Sequence, residues 1–187
     1  MKKLAFLSTI SIAFLSAKNI VYAGNSASVS LSATVEQTAE IQNVNTAINA
    51  PTFTASELGQ SGVTKTATDP DVKLFDNNAA GGIRIDTTSD YTTSNNGAVL
   101  QNTNDPSEHL QLVADLKPCG AGSTTKTITP TGSNKTQSTS FTSTETQATE
   151  QGCSDHPGSI NYTFRTLSDY PTGGTYQGRL TYMVSAA

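Results

Sequence analysis

Ser26-Ala27-Ser28-Val29-Ser30-Leu31-Ser32-Ala33-Thr34-Val35 is a strict two-residue repeat. Ala27, Val29, Leu31, Ala33 and Val35 are apolar, and each is separated from the next by Ser or Thr. Successive side chains of an extended chain point to opposite faces, so the pattern predicts a strand with one apolar face. That face needs a groove to fill, in the same domain or in a neighbouring molecule. Which of the two it fills is most of the functional question.

The residues before this run read as an address. Lys2 and Lys3 form a positive start, Leu4 to Leu15 is apolar apart from Ser and Thr, and Val21-Tyr22-Ala23 places small residues around a cleavage site. Cleavage is predicted before Gly24. The apolar run is too short for a membrane span and none of sufficient length follows, so a soluble, exported protein is the expectation.

Removing residues 1–23 takes away Lys2, Lys3 and Lys18, leaving eight Lys+Arg against 15 Asp+Glu, a net charge of −7. That balance argues against nucleic acid as a partner. The remaining 164 residues suit one domain. There is no Trp, and Thr, Ser, Asn and Gly are abundant. Thr favours strands, while Gly, Asn and Ser favour turns. No capped amphipathic run exceeds a turn or two, with a short helical piece expected near Ala55 to Leu58. An all-β fold follows.

Cys119 and Cys153 are the two cysteines, and an oxidising compartment would pair them. Between them only Ile128 and Phe141 are large and apolar, amid Ser, Thr, Gln, Gly and Lys. Such a stretch tends toward disorder unless constrained, and the part from Ser133 to Thr149 reads as a hairpin or flap held by the bridge.

Further strands are predicted where apolar residues alternate: Ala39, Ile41 and Val44; Val72 to Phe75; Gly82 to Asp86; Leu110, Leu112, Ala114 and Leu116; Ile160, Tyr162 and Phe164; and Tyr176, Leu180, Tyr182 and Val184. Between Val44 and Val72 the chain reads as a polar connector punctuated by Pro51, Gly59, Gly62 and Pro70. Short alternating strands joined by Gly, Asn and Pro turns indicate an antiparallel sandwich or barrel.

Two stretches carry a family resemblance. Val29-Ser30-Leu31-Ser32-Ala33-Thr34-Val35-Glu36, with Ile41 shortly after, and the terminal Gly173-Gly174-Thr175-Tyr176-Gln177-Gly178-Arg179-Leu180-Thr181-Tyr182-Met183-Val184 together resemble the pilin subunits of chaperone-usher fimbriae, most closely the alpha class typified by colonisation-factor pilins. The disulfide and the long Thr-rich loop depart from that pattern.

The resemblance implies an immunoglobulin-like sandwich lacking one strand and completed by donor-strand exchange. On that basis residues 1–23 are a signal peptide, 24–36 a donor-strand extension and 37–187 the pilin domain. Ala27, Val29, Leu31, Ala33 and Val35 would enter a neighbour's groove. Tyr176, Leu180, Tyr182 and Val184 would line the groove in their own subunit and bind a periplasmic chaperone before assembly. Implied partners are identical or related pilins, the chaperone and an outer-membrane usher, with a host receptor a further candidate. The implied route runs through the periplasm to a surface fimbrium. A shaft subunit is favoured over a two-domain tip adhesin, since 164 residues leave no room for two ordinary domains.

An enzyme is not expected. There is no G-x-S-x-G, no H-E-x-x-H and no phosphate-cradling glycine loop, and Asp69, Asp71, Asp86, Asp90 and Asp105 sit among turn residues. No cofactor is expected either. Cys153-Ser154-Asp155-His156 could form half a metal site, but only His109 and Cys119 could complete it, and a disulfide fits the compartment better. The alternative from another class is a self-contained secreted β-sandwich that binds a glycan or a host protein; a wall-associated domain is a third reading, without a sorting motif to support it.

Overall fold

The computed structural model describes Ser32 and residues 39–54, 56–57, 62–77, 81–146 and 150–187. The leader and the alternating positions Ala27, Val29, Leu31, Ala33 and Val35 lie outside the described residues. All of the following concerns the unit Glu36–Ala187.

Its strands are β1 (Ala39–Gln42), β2 (Thr64–Pro70), β3 (Lys73–Asp76), β4 (Ile83–Ser89), β5 (Thr92–Thr93), β6 (Gly97–Asn102), β7 (His109–Lys117), β8 (Lys126–Thr127), β9 (Thr136–Phe141), β10 (Ser159–Thr166), β11 (Tyr176–Gln177) and β12 (Leu180–Ala186). Two short helices, α1 (Ser143–Thr146) and α2 (Glu150–Asp155), lie between β9 and β10. One sheet has the order β11-β6-β7-β10-β2, with β5 on β6 and β8 on β7, and a second has the order β12-β4-β9. β1 pairs β3, and every pairing is antiparallel. The fold is an all-β antiparallel sandwich.

Alternation builds its interior. Leu110, Leu112, Ala114 and Leu116 of β7 face inward, as do Ile160, Tyr162 and Phe164 of β10. They meet Ile83 and Ile85 of β4 and Phe141 of β9 from the opposite sheet. Register matches size: Tyr162 lies between Ala114 on β7 and Ala67 on β2, so its large ring is flanked by two methyl groups. Fully burying side chains of this kind contributes roughly 1.5–3 kcal/mol each.

Two strands run against the sequence reading. β2 (Thr-Lys-Thr-Ala-Thr-Asp-Pro) falls in the supposed connector, because a strand at a sheet margin needs few apolar residues. β6 has Gly97, Ala98, Val99 and Leu100 all buried, so it shows no alternation to detect. Gly97 itself has φ +66°, and a Cβ there would fall 2.2 Å from the Pro130 carbonyl oxygen, which receives the Ala98 N–H at 3.0 Å. Only glycine fits that approach. The expected helix near Ala55 to Leu58 is a turn where it is described, at Ser56 and Glu57, with Glu57 accepting from the Thr54 backbone and hydroxyl as in a capping box.

The segment between the cysteines is not a flap. β9 is a full member of the second sheet, pairing β4 from Ile83↔Phe141 to Thr88↔Thr136. Its apolar residues Ile128 and Phe141 are both fully buried. Thr142 caps α1: its backbone N–H donates to the Glu145 carboxylate at 2.8 Å, and Glu145 also receives Lys126 Nζ at 2.9 Å. Burial alone would raise the Glu145 pKa, but hydrogen bonds from Thr124, the Thr142 backbone and Lys126 hold it at about 2. Lys126 also lies over the Phe141 ring, 4.7 Å from its centroid. Cys119 and Cys153 form the disulfide that closes this segment, 34 residues apart in sequence.

In the chain-entropy model a loop of that length is worth on the order of 4 kcal/mol. Cys119→Ser with Cys153→Ser is therefore expected to lower the denaturant midpoint substantially, and reduction of the wild type with dithiothreitol should reproduce the loss. Equal midpoints for wild type and double variant in chemical unfolding would refute a stabilising role for the bridge.

Candidate strand-binding groove

The second sheet ends at β12. Among the described residues, β12 pairs on one side only, with β4, from Leu180↔Ser89 to Ala186↔Ile83. In an immunoglobulin-type sandwich one sheet contains strands B, E and D side by side and the other C, F and G. Here β2-β10-β7 matches B-E-D and β4-β12 matches C-F. The G position is the side of β12 away from β4, where no strand among the described residues is hydrogen-bonded to it.

Burial reflects this. The inward residues of β4, Ile83, Ile85, Thr87 and Ser89, are all buried, whereas the inward row of β12, Leu180, Tyr182 and Val184, is only half-buried. On the outer face of β12, Met183 is 66 % exposed. The inward row packs on the core but is incompletely covered by it.

Beside that row opens a cleft of about 810 Å³. Its floor is apolar: Leu100, Leu110 and Leu112 from β6 and β7, with Tyr162 and Phe164 from β10. One wall is residues 45–53 and the other is residues 171–180 with Tyr182, including Tyr176 and Leu180. Val184 is not among the lining residues. The structure thus brings three of the four sequence-nominated groove residues to one cleft and leaves Val184 on the same half-buried row beyond it.

The terminal Gly-x-Tyr-x-Gly sequence has a mechanical reading. β11 pairs β6 in the first sheet and β12 pairs β4 in the second, so the chain crosses between sheets at Gly178 and Arg179. A Cβ at Gly178 would lie 2.9 Å from Leu100 Cδ2, which keeps the crossing close to the cleft floor. Tyr176 pairs Asn102, and its hydroxyl donates to the Thr172 carbonyl at 2.8 Å. Asn102, itself buried, donates to the same carbonyl at 3.0 Å, so the 171–176 turn is pinned to the sheet. The Arg179–Asp90 pair at 3.6 Å is exposed and contributes little.

The opposite wall is held by Asp69, which the sequence placed among turn residues. Asp69 belongs to β2, not to a turn, and is fully buried. It receives the Asn45 backbone N–H at 2.8 Å and the Asn45 side-chain amide, which fastens the start of the 45–53 wall. A polar residue in an apparent connector gave no signal for this. Asp86 is likewise a strand residue, on β4, its carboxylate held below the usual range by Ser138 and then Arg84.

Tyr182 reaches across the sandwich to Tyr162, their hydroxyls 3.3 Å apart. Burial raises both phenols; Asp69 adds to this in each case, and the neighbouring Tyr162 adds to it for Tyr182. This pair ties β12 to the centre of the facing sheet. It offers apolar ring surface with the two hydroxyls in mutual contact.

No family model matches the chain, and no curated protein is significantly similar to it. Among solved structures it is similar to a chain from a complex described as a chaperone–tip adhesin complex vital for synergistic activation of CFA/I fimbriae biogenesis, with TM-score 0.52 and 16 % identity. The alignment covers 80 % of this chain and 42 % of that one, so the protein spans less than half of its neighbour's length. The likeness is one of fold.

The tyrosine pair has a pH signature. A phenol whose pKa is raised by folding contributes stability that is fully present below its unfolded pKa, near 10, and is lost as pH rises through the folded value. Urea midpoints measured between pH 8 and pH 11.5 should therefore fall, and Tyr162→Phe with Tyr182→Phe should flatten that fall. An unchanged slope in the double variant would show that the pair is not the source.

Proposed function

We propose that this protein is a structural subunit of a bacterial surface fimbria, polymerised by donor-strand exchange and supporting adhesion. The observation that carries the reading is the apolar cleft beside the open side of β12, whose inward row stays half-buried. An edge of that kind is an aggregation hazard until another strand covers it. Strand addition covers it with main-chain hydrogen bonds and side chains set into pockets.

The chain supplies a suitable strand. Ala27, Val29, Leu31, Ala33 and Val35 form one apolar face, none bulkier than Leu. Entering the cleft of an adjacent copy, they would complete the second sheet and bury the inward row of β12. The contact is heterologous, so it propagates an open filament. Before assembly a periplasmic chaperone would cover the same cleft, with the usher receiving the pair. The fold likeness to a chain from a fimbrial chaperone–adhesin complex supports this setting. The lone disulfide is suited to an oxidising, extracytoplasmic route. The role needs no catalytic chemistry and no cofactor.

Leu31→Asp would place a charge in an apolar groove, a change costly enough to block exchange. Cells producing that variant together with chaperone and usher are expected to accumulate chaperone-bound subunit and no fibres. In a complementary experiment, residues 24–36 are repeated after Ala187 through a short Gly/Ser linker. That variant should elute as a stable monomer in size-exclusion chromatography, while the parent aggregates, polymerises or is degraded without chaperone. A parent chain that elutes as a stable monomer and forms no filaments would refute the proposal in favour of an autonomous binding domain.

A further inference from the structure

Resting on that reading, we infer that residues 46–53 form a movable strap, seated on the cleft while no strand fills it and displaced when the strand of another copy enters. The floor of the cleft is already shielded from water: Leu100, Leu110, Leu112, Tyr162 and Phe164 are each at most 7 % exposed. Ile48 and Phe53 of the 45–53 wall are half-buried and pack against this core, while Ala47, Asn49, Ala50 and Thr52 around them are exposed. The strap is thus a surface segment seated by two large apolar side chains. The apolar surface they cover is the surface an incoming strand would bury.

The strap is held at its two ends. At its start Asp69 accepts the Asn45 backbone N–H at 2.8 Å and the Asn45 side-chain amide. At its far end Glu57 accepts the Thr54 backbone N–H at 2.9 Å and the Thr54 hydroxyl at 2.8 Å, and pairs with Lys65. Between these ends, among the described residues, none of residues 46–53 belongs to a strand or makes a hydrogen bond. Backbone groups left to water fix no geometry, and such a segment opens at a small fraction of the cost of unfolding the domain. The opposite wall is different, pinned by Asn102 and Tyr176 through the Thr172 carbonyl and by Tyr182 through Tyr162. The strap is therefore the side that yields.

Its length gives it room to do so. Lys65 and Asp69, the two anchor points, are four positions apart on β2, roughly 13 Å at about 3.3 Å per residue. Asn45 and Glu57 are twelve positions apart, roughly 40 Å when extended. The segment is about three times as long as the gap it bridges, so it can leave the cleft with both tethers intact. Seated, it shields an apolar floor that would promote aggregation if bare.

The test is the rate at which the chain from Gly24 to Ala187 captures a fluorescein-labelled synthetic peptide of residues 24–36, followed by anisotropy at a dilution where self-assembly is slow. Ile48→Ala and Phe53→Ala truncate the side chains that seat the strap. Each should capture the peptide on the order of tenfold faster than wild type, the rate equivalent of one half-buried apolar side chain, with peptide dissociation unchanged. Should either variant misfold, Glu57→Gln, which removes the ion pair with Lys65 at the far tether, gives a second measurement and should accelerate capture in the same direction. Slower capture or faster dissociation in Ile48→Ala and Phe53→Ala would reveal a fixed wall that grips the strand, and would overturn the strap. Wild-type capture rates in all three variants would overturn it as well, leaving strand exchange standing. No capture by the wild type or by any variant would overturn strand exchange and the strap with it.

Discussion

An edge strand engages its backbone groups on one side only, and among the described residues β12 meets that condition, with its inward Leu180 and Tyr182 bordering an apolar cleft. The first sheet places β10 between β7 and β2, with ladders on both of its sides. The second sheet is narrower, and its deepest strand, β4, is flanked by β9 and β12. Among the described residues each sheet ends in edge strands, β11 and β2 in the first and β12 and β9 in the second, and the β12 edge borders the apolar cleft. The need to cover that margin organises the functional reading.

The remainder of the structure holds the cleft in shape. Tyr162 and Tyr182 span the two sheets through their hydroxyls, which positions β12 relative to the floor. Asn102 and Tyr176 pin one wall through the Thr172 carbonyl, and Asp69 fastens the start of the other through Asn45. These anchors are polar groups paired inside or beside an apolar site. Each would be costly to leave unsatisfied, so each fixes a geometry more sharply than apolar packing alone.

The segment closed by the disulfide supports the same sheet from its far side. It is poor in core residues, yet it delivers β9 to the outer side of β4 and buries Phe141 and Ile128. Lys126 and Glu145 bind its base together, and Thr142 stops the strand by capping the helix that follows. The bridge limits the freedom of a sequence that would otherwise pay heavily in entropy to order. Completion of the second sheet therefore depends on a covalent link on one side, and on the proposed reading, on a borrowed strand at the other.

Much of this was legible in the residues. Alternation identified β7, β10 and the inward row of β12, because a half-buried strand exposes every second side chain and its sequence records that directly. The cysteine pair and the apolar content of the loop between them were also readable. β2, β6 and β9 were not: β2 and β9 are polar strands whose place depends on partners far along the chain, and β6 is buried on consecutive residues and carries no period. The sequence by itself determined the all-β class, the inward rows of β7, β10 and β12 and the bridge, since these follow from local pattern and chemistry. Only the tertiary structure decided that β12 lies at a margin, that residues 45–53 and 171–180 face each other across a cleft, and that Tyr162 meets Tyr182, because such pairings join residues distant in sequence and no local pattern specifies them.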